Sequence, residues 1–192
     1  FFGDTDTHLY GVYDAPRGGS FKDASVLLCY PVGQEYIRSH WASRQLVNQL
    51  SRAGLHCMRF DYFGSGDSAG RSTEASLDRW QADVNTSLTE LRDISGVTKA
   101  SLVGLRFGAT IAATAPLHNQ PPKKLVLWDP VVNGAAYLDG LRNMHQELLD
   151  NLNSMRSKRP VDHRQGIEEL LGFSYTNDLI ADIKNLNLLE FT

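Results

Sequence analysis

The chain has 192 residues, of which 42% are apolar, and a formal net charge of −3 at neutral pH. This length suits one well-buried domain, and the composition is that of a globular chain rather than a disordered one. The mixed charges exclude a basic face for nucleic acid, and no apolar run is long enough to span a membrane. The six histidines lack the spacing of a metal site, and we expect no cofactor.

Over the first 130 residues, segments with strand character alternate with segments of helical periodicity. An alternating run, HLYGVYDAP at 8–16, predicts an early strand or hairpin. Continuous apolar runs predict strands buried on both faces of a sheet: ASVLLCYPVG (24–33), LHCMRFDY (55–62), KASLVGL (99–105) and KKLVLWDP (123–130). Strands that alternate with helices indicate a parallel sheet joined by right-handed crossovers.

Three helices are predicted between these strands. Residues 39–54 predict the first, which Ser39 caps. Four of its side chains should lie near one face: Trp41, Leu46, Leu50 and Ala53. The second helix begins after a Ser76 cap, and its apolar side chains recur at steps of three and four: Leu77, Trp80, Val84, Leu88 and Leu91. The third is FGATIAATAPL at 107–117.

Residues 131–192 have a different pattern, with two amphipathic helical segments at 137–155 and 177–191 and no further strand-like run. RSKR at 156–159, beside Pro160, is interpreted as a solvated loop. We therefore predict a sheet-containing core at 1–130 and a helical cap at 131–192, laid over the strand ends where open α/β sheets bind ligands. An apolar stripe of the cap either packs on its own domain or faces a partner: Leu138, Leu141, Met144, Leu148 and Leu152.

SLVGLRFGAT, at 101–110, combines a strand, a tight turn and a helix start. Gly104 and Gly108 stand two residues to either side of Arg106, which is the spacing of the G-x-S-x-G turn that presents a serine nucleophile. The small flanking residues allow the strained turn to form. A guanidinium, however, stays protonated and has no hydroxyl to attack a carbonyl. The motif predicts the turn without the usual serine hydrolysis.

Four segments together resemble a known family: LLCYPVGQEYIRSHW (27–41), RFDYFGSGDSAG (59–70), LVGLRFGAT (102–110) and LVLWDPVVNG (125–134). Over about residues 2–192 the chain resembles α/β-hydrolases of the serine-aminopeptidase-like group, and most nearly the hydrolase-like proteins encoded beside exosortase A systems. The resemblance implies an α/β-hydrolase fold, with a mostly parallel sheet, helices on both faces and a helical cap. It also implies two later strands with a catalytic acid and histidine, which this sequence lacks, so we expect an incomplete domain.

Although the turn lacks a nucleophile, it can still bind an anion. The amide of Phe107 begins a helix, where unpaired N–H groups favour negative charge. In the preceding YPVG loop, which the resemblance assigns to the oxyanion hole, Val32 or Gly33 supplies a second N–H because Pro31 has none. Arg106 would convert these amides into a clamp for a carboxylate or phosphate.

Further charged side chains come from two neighbouring segments. Asp129 follows the strand after the predicted helix at 107–117, either as a catalytic acid or as a structural ion-pair partner of Arg106. Glu35, Arg38 and His40 lie at the start of the first helix, beside the YPVG loop, and are candidates to line the ligand pocket.

Three functions remain open at this point. The first is a non-hydrolytic binder of a carboxylate, phosphate or acyl-type ligand. The second is an ester, amide or thioester hydrolase or an acyltransferase with another nucleophile, for which Ser65 and Ser68 are the nearest hydroxyls; Asp61 and Asp67 would brace their loop. The third, implied by the resemblance, is a partner-binding pseudoenzyme of envelope polysaccharide biosynthesis that docks, or forms a homodimer, through the cap helices.

The two cysteines, Cys29 and Cys57, fall inside apolar strand-like runs. Cysteine packs there as a small hydrophobe, and free thiols are typical of a reducing compartment. We therefore expect a cytoplasmic protein.

Overall fold

The computed structural model describes residues 1–18, 21–117, 121–155 and 165–191. Within them, a five-stranded central sheet has the order β1-β3-β2-β4-β5, in which β1 is antiparallel to β3 and every other pair is parallel. Its strands are β1 (Gly11–Asp14), β2 (Ser25–Cys29), β3 (His56–Phe60), β4 (Ala100–Leu105) and β5 (Leu125–Trp128). The predicted α/β class with a mostly parallel sheet is confirmed.

The helices of the described residues are α1 (Gln34–Arg52), α2 (Leu77–Ser95), α3 (Phe107–Thr114), α4 (Gly134–Met155) and α5 (Asn177–Asn185). Helix α2 follows its sequence pattern closely, because all five of its predicted apolar side chains are buried. Its Ser76 cap is also confirmed, since the side chain accepts a hydrogen bond from the amide of Arg79.

Helix α1 differs from its prediction at its start and on its buried face. It begins at Gln34, with Gly33 rather than Ser39 at the cap position. Trp41, expected on the inner face, is 71% exposed. The most buried side chains are Ser43, Val47 and Ser51, at steps of four residues. Of the predicted inner face, Leu46 and Leu50 are partly buried and pack against the core. The prediction for Trp41 was therefore wrong.

Strand β5 was predicted to be buried on both faces, and this was wrong. It pairs only with β4 among the described residues, so it forms an edge of the sheet. Its apolar side chains are all exposed, with Trp128 at 55%. An apolar run shows that a segment can be buried, whereas burial itself depends on what packs beside it.

Only helices were predicted after residue 130, and this was wrong. A hairpin joins β6 (Ile167–Leu170) to β7 (Phe173–Thr176) between the two helices. Its two-residue turn has φ of +55° at Leu171 and +88° at Gly172, the arrangement that suits a tight hairpin. Leucine is not a turn-forming residue at the first of these positions, so the sequence carries little signal for the hairpin. RSKR and Pro160 lie outside the described residues.

Helix α4 packs against the rest of the molecule through the first half of its apolar stripe. Leu138 and Leu141 are buried, in the same hydrophobic cluster as the sheet side chains, whereas Met144, Leu148 and Leu152 are exposed. The stripe is therefore divided between the core and solvent. The division into a core at 1–130 and a cap at 131–192 stays a prediction.

Two polar contacts hold α4 to the hairpin. Arg142 donates from Nε and Nη2 to the two carboxylate oxygens of Glu168, at 2.7 and 2.8 Å. These hydrogen bonds lower the pKa of Glu168 below its ordinary value. Nδ1 of His145 accepts from the amide of Leu171 at 3.0 Å, which ties the helix to the hairpin turn.

Candidate functional site

The turn between β4 and α3, which we call the elbow, has the sharp geometry that its glycines predict. Arg106 lies between the two elements with φ of +53° and ψ of −125°, and its amide donates to the carbonyl of Trp128 at 3.0 Å. A Cβ on Gly104 would overlap the backbone of Ala109. A Cβ on Gly108 would overlap the carbonyl of Tyr30, in the loop that follows β2. Only glycine fits at either flank of Arg106.

The guanidinium of Arg106 lies between two carboxylates. Its Nε donates to Oε1 of Glu35 at 2.8 Å, and its Nη1 donates to Oδ2 of Asp129 at 3.0 Å. Nη2 donates to none of the described residues. Burial works against the charge, but the hydrogen bonds and charges of Glu35 and Asp129 outweigh it and raise the pKa of Arg106. The side chain is cationic at every physiological pH.

Glu35 also joins the elbow to helix α4, through a residue that sequence reasoning did not identify. Its Oε2 accepts from the hydroxyl of Tyr137 at 3.2 Å. The ring of Tyr137 stacks on that of Phe107, with centroids 5.4 Å apart and planes 3° from parallel. Burial and the Glu35 charge raise the pKa of Tyr137, so the phenol stays protonated and donates. Nothing in the sequence around Tyr137 signals this contact, which depends on how α4 packs against the rest of the chain.

A cavity of about 290 Å³ opens beside the guanidinium, and we call it the elbow cavity. It is lined by Pro31, Gln34, Glu35, Arg38, Ser39, Arg106, Leu141, Met144 and Leu171. Of the residues predicted to bind the ligand or line its pocket, it brings together Arg106, Glu35 and Arg38. Arg38, one helical turn after Glu35, is exposed and makes no ion pair with a described residue.

Other predicted site residues lie elsewhere. Asp129 contacts Arg106 from outside the elbow cavity, and its side chain is 70% exposed. The side chain of Phe107 is fully buried in the core. The ring of His40 stacks on that of Tyr30, with centroids 6.1 Å apart, and lines neither cavity. Five residues along a helix from Glu35, His40 points about 140° away from it.

A second cavity of about 350 Å³ lies under the β6–β7 hairpin, and we call it the hairpin cavity. It is lined by Val32, Gly33, Tyr36, Ile37, Gly64, Ser65, Gly66, Ser72, Ala75, Trp80, Phe173, Ser174, Tyr175 and Leu179. Val32 and Gly33, predicted to line the same site as Arg106, line this cavity instead. Residues 31–38 are divided between the two cavities. Positions 31, 34, 35 and 38 line the elbow cavity, and positions 32, 33, 36 and 37 line the hairpin cavity.

The loop after β3 contains two serines, Ser65 and Ser68. The hydroxyl of Ser68 is hydrogen-bonded within the fold, whereas that of Ser65 is free among the described residues. The hydroxyl of Ser68 donates to the carbonyl of Asp61 at 2.5 Å and accepts from the amide of Tyr10. Asp61 accepts from the hydroxyl of Tyr36 and the amide of Asp67, so the carboxylate braces the loop. Ser65, in contrast, lines the hairpin cavity.

Two absences apply to the residues that the structure describes. Across these segments, no group of three or more histidine, cysteine, aspartate or glutamate side chains is arranged to hold a metal ion. No described helix is both long and apolar enough to cross a membrane.

The model of the family Hydrolase_4, described as serine aminopeptidase, S33, matches residues 35–178. The chain belongs to this family. Within it, the chain carries Arg106 at the centre of the G-x-x-x-G turn.

The curated relatives match shorter stretches. Human mitochondrial palmitoyl-protein thioesterase ABHD10 is 34% identical over 85 residues, which are 44% of this chain and 26% of that protein. Human protein ABHD12B is 30% identical over 96 residues, 50% of this chain and 26% of that protein. The matched segments thus cover about a quarter of these relatives.

Solved structures share the fold at low sequence identity. Est1E from Butyrivibrio proteoclasticus, bound to ferulic acid, matches with a TM-score of 0.61 and 13% identity, over 95% of this chain and 69% of that one. A putative hydrolase from Agrobacterium vitis S4 matches with a TM-score of 0.58 and 19% identity, over 95% and 68%. The protein therefore has the α/β-hydrolase fold of its family.

Proposed function

We propose that this protein binds an anionic ligand in the elbow cavity, namely a carboxylate, a phosphate or the charged end of an acyl compound, without serine hydrolysis. The observation that carries the proposal is the presence of two arginines, Arg106 and Arg38, in the lining of one cavity. Arg106 stands where the turn would present a serine and cannot act as a nucleophile. What it offers instead is a fixed positive charge with several donors.

The charges of the lining favour an anion. Glu35 is its single carboxylate, against the two arginines. Because Glu35 takes Nε of Arg106, it orients the guanidinium, while Asp129 takes Nη1 and Nη2 is left for a ligand. Arg38, without an ion pair among the described residues, adds a second cation to the same space.

Asp129 is the competitor for the Nη edge, and its exposure makes it a weak one. An ion pair with so exposed a carboxylate contributes only about 0–1 kcal/mol to stability. A ligand carboxylate or phosphate can replace it at Nη1 and also accept from Nη2, which gives a bidentate contact. The structural ion pair and the ligand clamp are then two states of one site, the first without ligand and the second with it.

The test is calorimetric titration of the full chain with inorganic phosphate and with octanoate, to about 10 mM. Arg106→Gln and Arg38→Gln should each weaken binding about tenfold, because each removes a charge-assisted contact. Arg44→Gln is the matched control, since Arg44 is an exposed arginine of α1 that lines neither cavity.

Binding that survives Arg106→Gln unchanged, or a fall of the same size in the Arg44→Gln control, would contradict a specific elbow site. So would the absence of heat with both probes at the highest concentration.

A second candidate is an ester or thioester hydrolase with Ser65 as nucleophile. Its support is the position of Ser65 in the hairpin cavity and the name of the relative ABHD10, a palmitoyl-protein thioesterase. Against it, none of the described histidines donates to or accepts from Ser65: His8, His40, His56 and His145. Labelling by a fluorophosphonate that disappears in Ser65→Ala, together with turnover of an ester, would favour this candidate over the non-hydrolytic one.

The resemblance to proteins encoded beside exosortase A systems supports a pathway role in envelope polysaccharide biosynthesis. In that role the exposed part of the α4 stripe, Met144, Leu148 and Leu152, would contact a partner or a second subunit.

A cytoplasmic location belongs to the same proposal. Cys29 and Cys57 are free and buried, and burial raises the pKa of each thiol to about 12.

A further inference from the structure

Strand β5 is exposed on both of its faces and along one edge. Among the described residues it pairs only with β4, so its other edge is open. Side chains of a strand alternate between the two faces of a sheet, and the four of β5 are between 38% and 55% exposed: Leu125, Val126, Leu127 and Trp128. An open edge with apolar side chains is a surface on which a further strand can pair.

The main-chain groups that face this open edge belong to Leu125 and Leu127. The carbonyls of Lys124 and Trp128 accept hydrogen bonds on the β4 side, at 2.9 and 3.0 Å. Because the main-chain groups of successive residues point to opposite edges of a strand, those of Val126 also face β4, and those of the two leucines face away from it. The amides and carbonyls of both leucines are therefore open to an added strand.

The occupant that fits this edge is a second copy of the chain. Two copies related by a two-fold axis perpendicular to the sheet run antiparallel at β5, and each face of one sheet continues into the same face of the other. One such register places Val126 opposite its own copy, and Leu125 opposite Leu127 of the second copy. The leucines then exchange hydrogen bonds through the groups that face outward.

Charged residues beside the strand favour this register over its neighbours. It places Lys123 next to Asp129 of the second copy, and Lys124 opposite Trp128 of the second copy, and the two-fold axis repeats both contacts. All four side chains are exposed, so each can reach its partner. Opposite charges attract across strands, and a lysine is attracted to the face of a tryptophan ring. A shift of the axis by one residue in either direction sets a charged residue opposite a leucine instead.

We propose that this chain forms a homodimer in which two β5 strands pair antiparallel and join the two sheets into one. Pairing gives partners to the outward main-chain groups and removes part of the apolar surface of β5 from water. The interface uses the open edge of β5 and not the α4 stripe, and it does not depend on anion binding at Arg106.

Disulfide trapping of the full chain tests the register. In a non-hydrogen-bonded antiparallel pair the Cα atoms lie about 4.5 Å apart, a distance that a disulfide can bridge. Val126→Cys should therefore give a covalent dimer under mild oxidation, seen by non-reducing electrophoresis. Trp128→Cys is the matched control and should not cross-link, because it lies opposite Lys124 and four strand positions from its own copy. The native Cys29 and Cys57 are buried and should not contribute.

Sedimentation velocity tests the charges. Between about 1 and 200 µM the parent should pass from monomer to dimer. Lys123→Glu and Asp129→Lys should each weaken the dimer about tenfold, since the two-fold axis turns two attractions into two repulsions. The double variant should return to within about threefold of the parent, because its charges are exchanged rather than lost. Trp41→Lys changes an exposed residue of α1, which contacts β1 and β3 at the far side of the sheet, and should leave the dimer unchanged.

Leu127→Pro tests the main-chain pairing. Proline is tolerated in an edge strand where the lost N–H faces outward, so the contacts of β5 with β4 should remain. This variant should abolish the dimer while its circular dichroism stays that of the folded parent.

The proposal is overturned if the parent stays monomeric over this range, if Trp128→Cys cross-links as readily as Val126→Cys, or if the exchange of charges does not restore the dimer. A monomer would leave a strand of another protein as the occupant of the edge. Assemblies larger than a dimer would also contradict the proposal, because two paired β5 edges leave none for a third copy.

Discussion

Gly108→Ala should lower the free energy of unfolding by about 3 kcal/mol, which corresponds to a fall of about 10 °C in melting temperature. The added Cβ would overlap the carbonyl oxygens of Tyr30 and Cys29, at the end of β2. These are main-chain atoms that the parallel pairing of β2 with β4 holds in place, so no side chain can rotate to make room. Thermal unfolding followed by circular dichroism measures the change.

Gly140→Ala is the matched control. Gly140 lies in the interior of α4, and its Cβ would meet no atom within 4 Å. Alanine is the better helix former by about 1 kcal/mol, so this variant should be neutral or slightly more stable. Equal losses of stability in both variants would show that a Cβ at position 108 does not meet the main chain of Tyr30 and Cys29.

Phe107→Ala should destabilise the fold by about 3–5 kcal/mol, because it removes a fully buried ring from the core. The ring contacts Trp80 edge-on and stacks on Tyr137, so it connects α2, the elbow and the start of α4. Its loss should also free the Tyr137 ring, which would weaken the hydrogen bond from Tyr137 to Glu35. Near-ultraviolet circular dichroism of the aromatic residues, alongside chemical unfolding, detects both effects.

Phe21→Ala is the control for ring removal, since Phe21 is exposed in the loop before β2. Its stability should stay within about 0.5 kcal/mol of the parent. If Phe107→Ala were equally mild, the elbow would not be tied to α4 through this aromatic stack.

The elbow keeps a strained backbone at a residue that performs no nucleophilic attack. A non-glycine residue at φ of +53° is uncommon, and such strain persists only where surrounding contacts enforce it. Here the two glycines permit the turn, and the ion pairs to Glu35 and Asp129 hold the side chain that it presents. The turn thus presents a cation in the way that it would otherwise present a serine.

Local patterns in the sequence were enough to predict the sheet, helix α2 and the elbow turn. Period-two and continuous apolar runs identify strands, and apolar side chains at steps of three and four identify a helix such as α2, because these periods follow from backbone geometry alone. Gly104 and Gly108 predicted the elbow turn, because only glycine tolerates the close approach of another main chain.

Contacts between distant segments decided the rest. Trp41 and Trp128 are exposed because nothing among the described residues packs over them, a fact that no local pattern contains. Glu35 meets Arg106 and Tyr137 only after β2, β4 and α4 have come together. The phenol of Tyr175 reaches Gly33 only because a hairpin forms at a leucine that does not signal a turn. Periodicity reports which faces of an element are apolar, whereas the partner of each face is set by the packing of the whole chain.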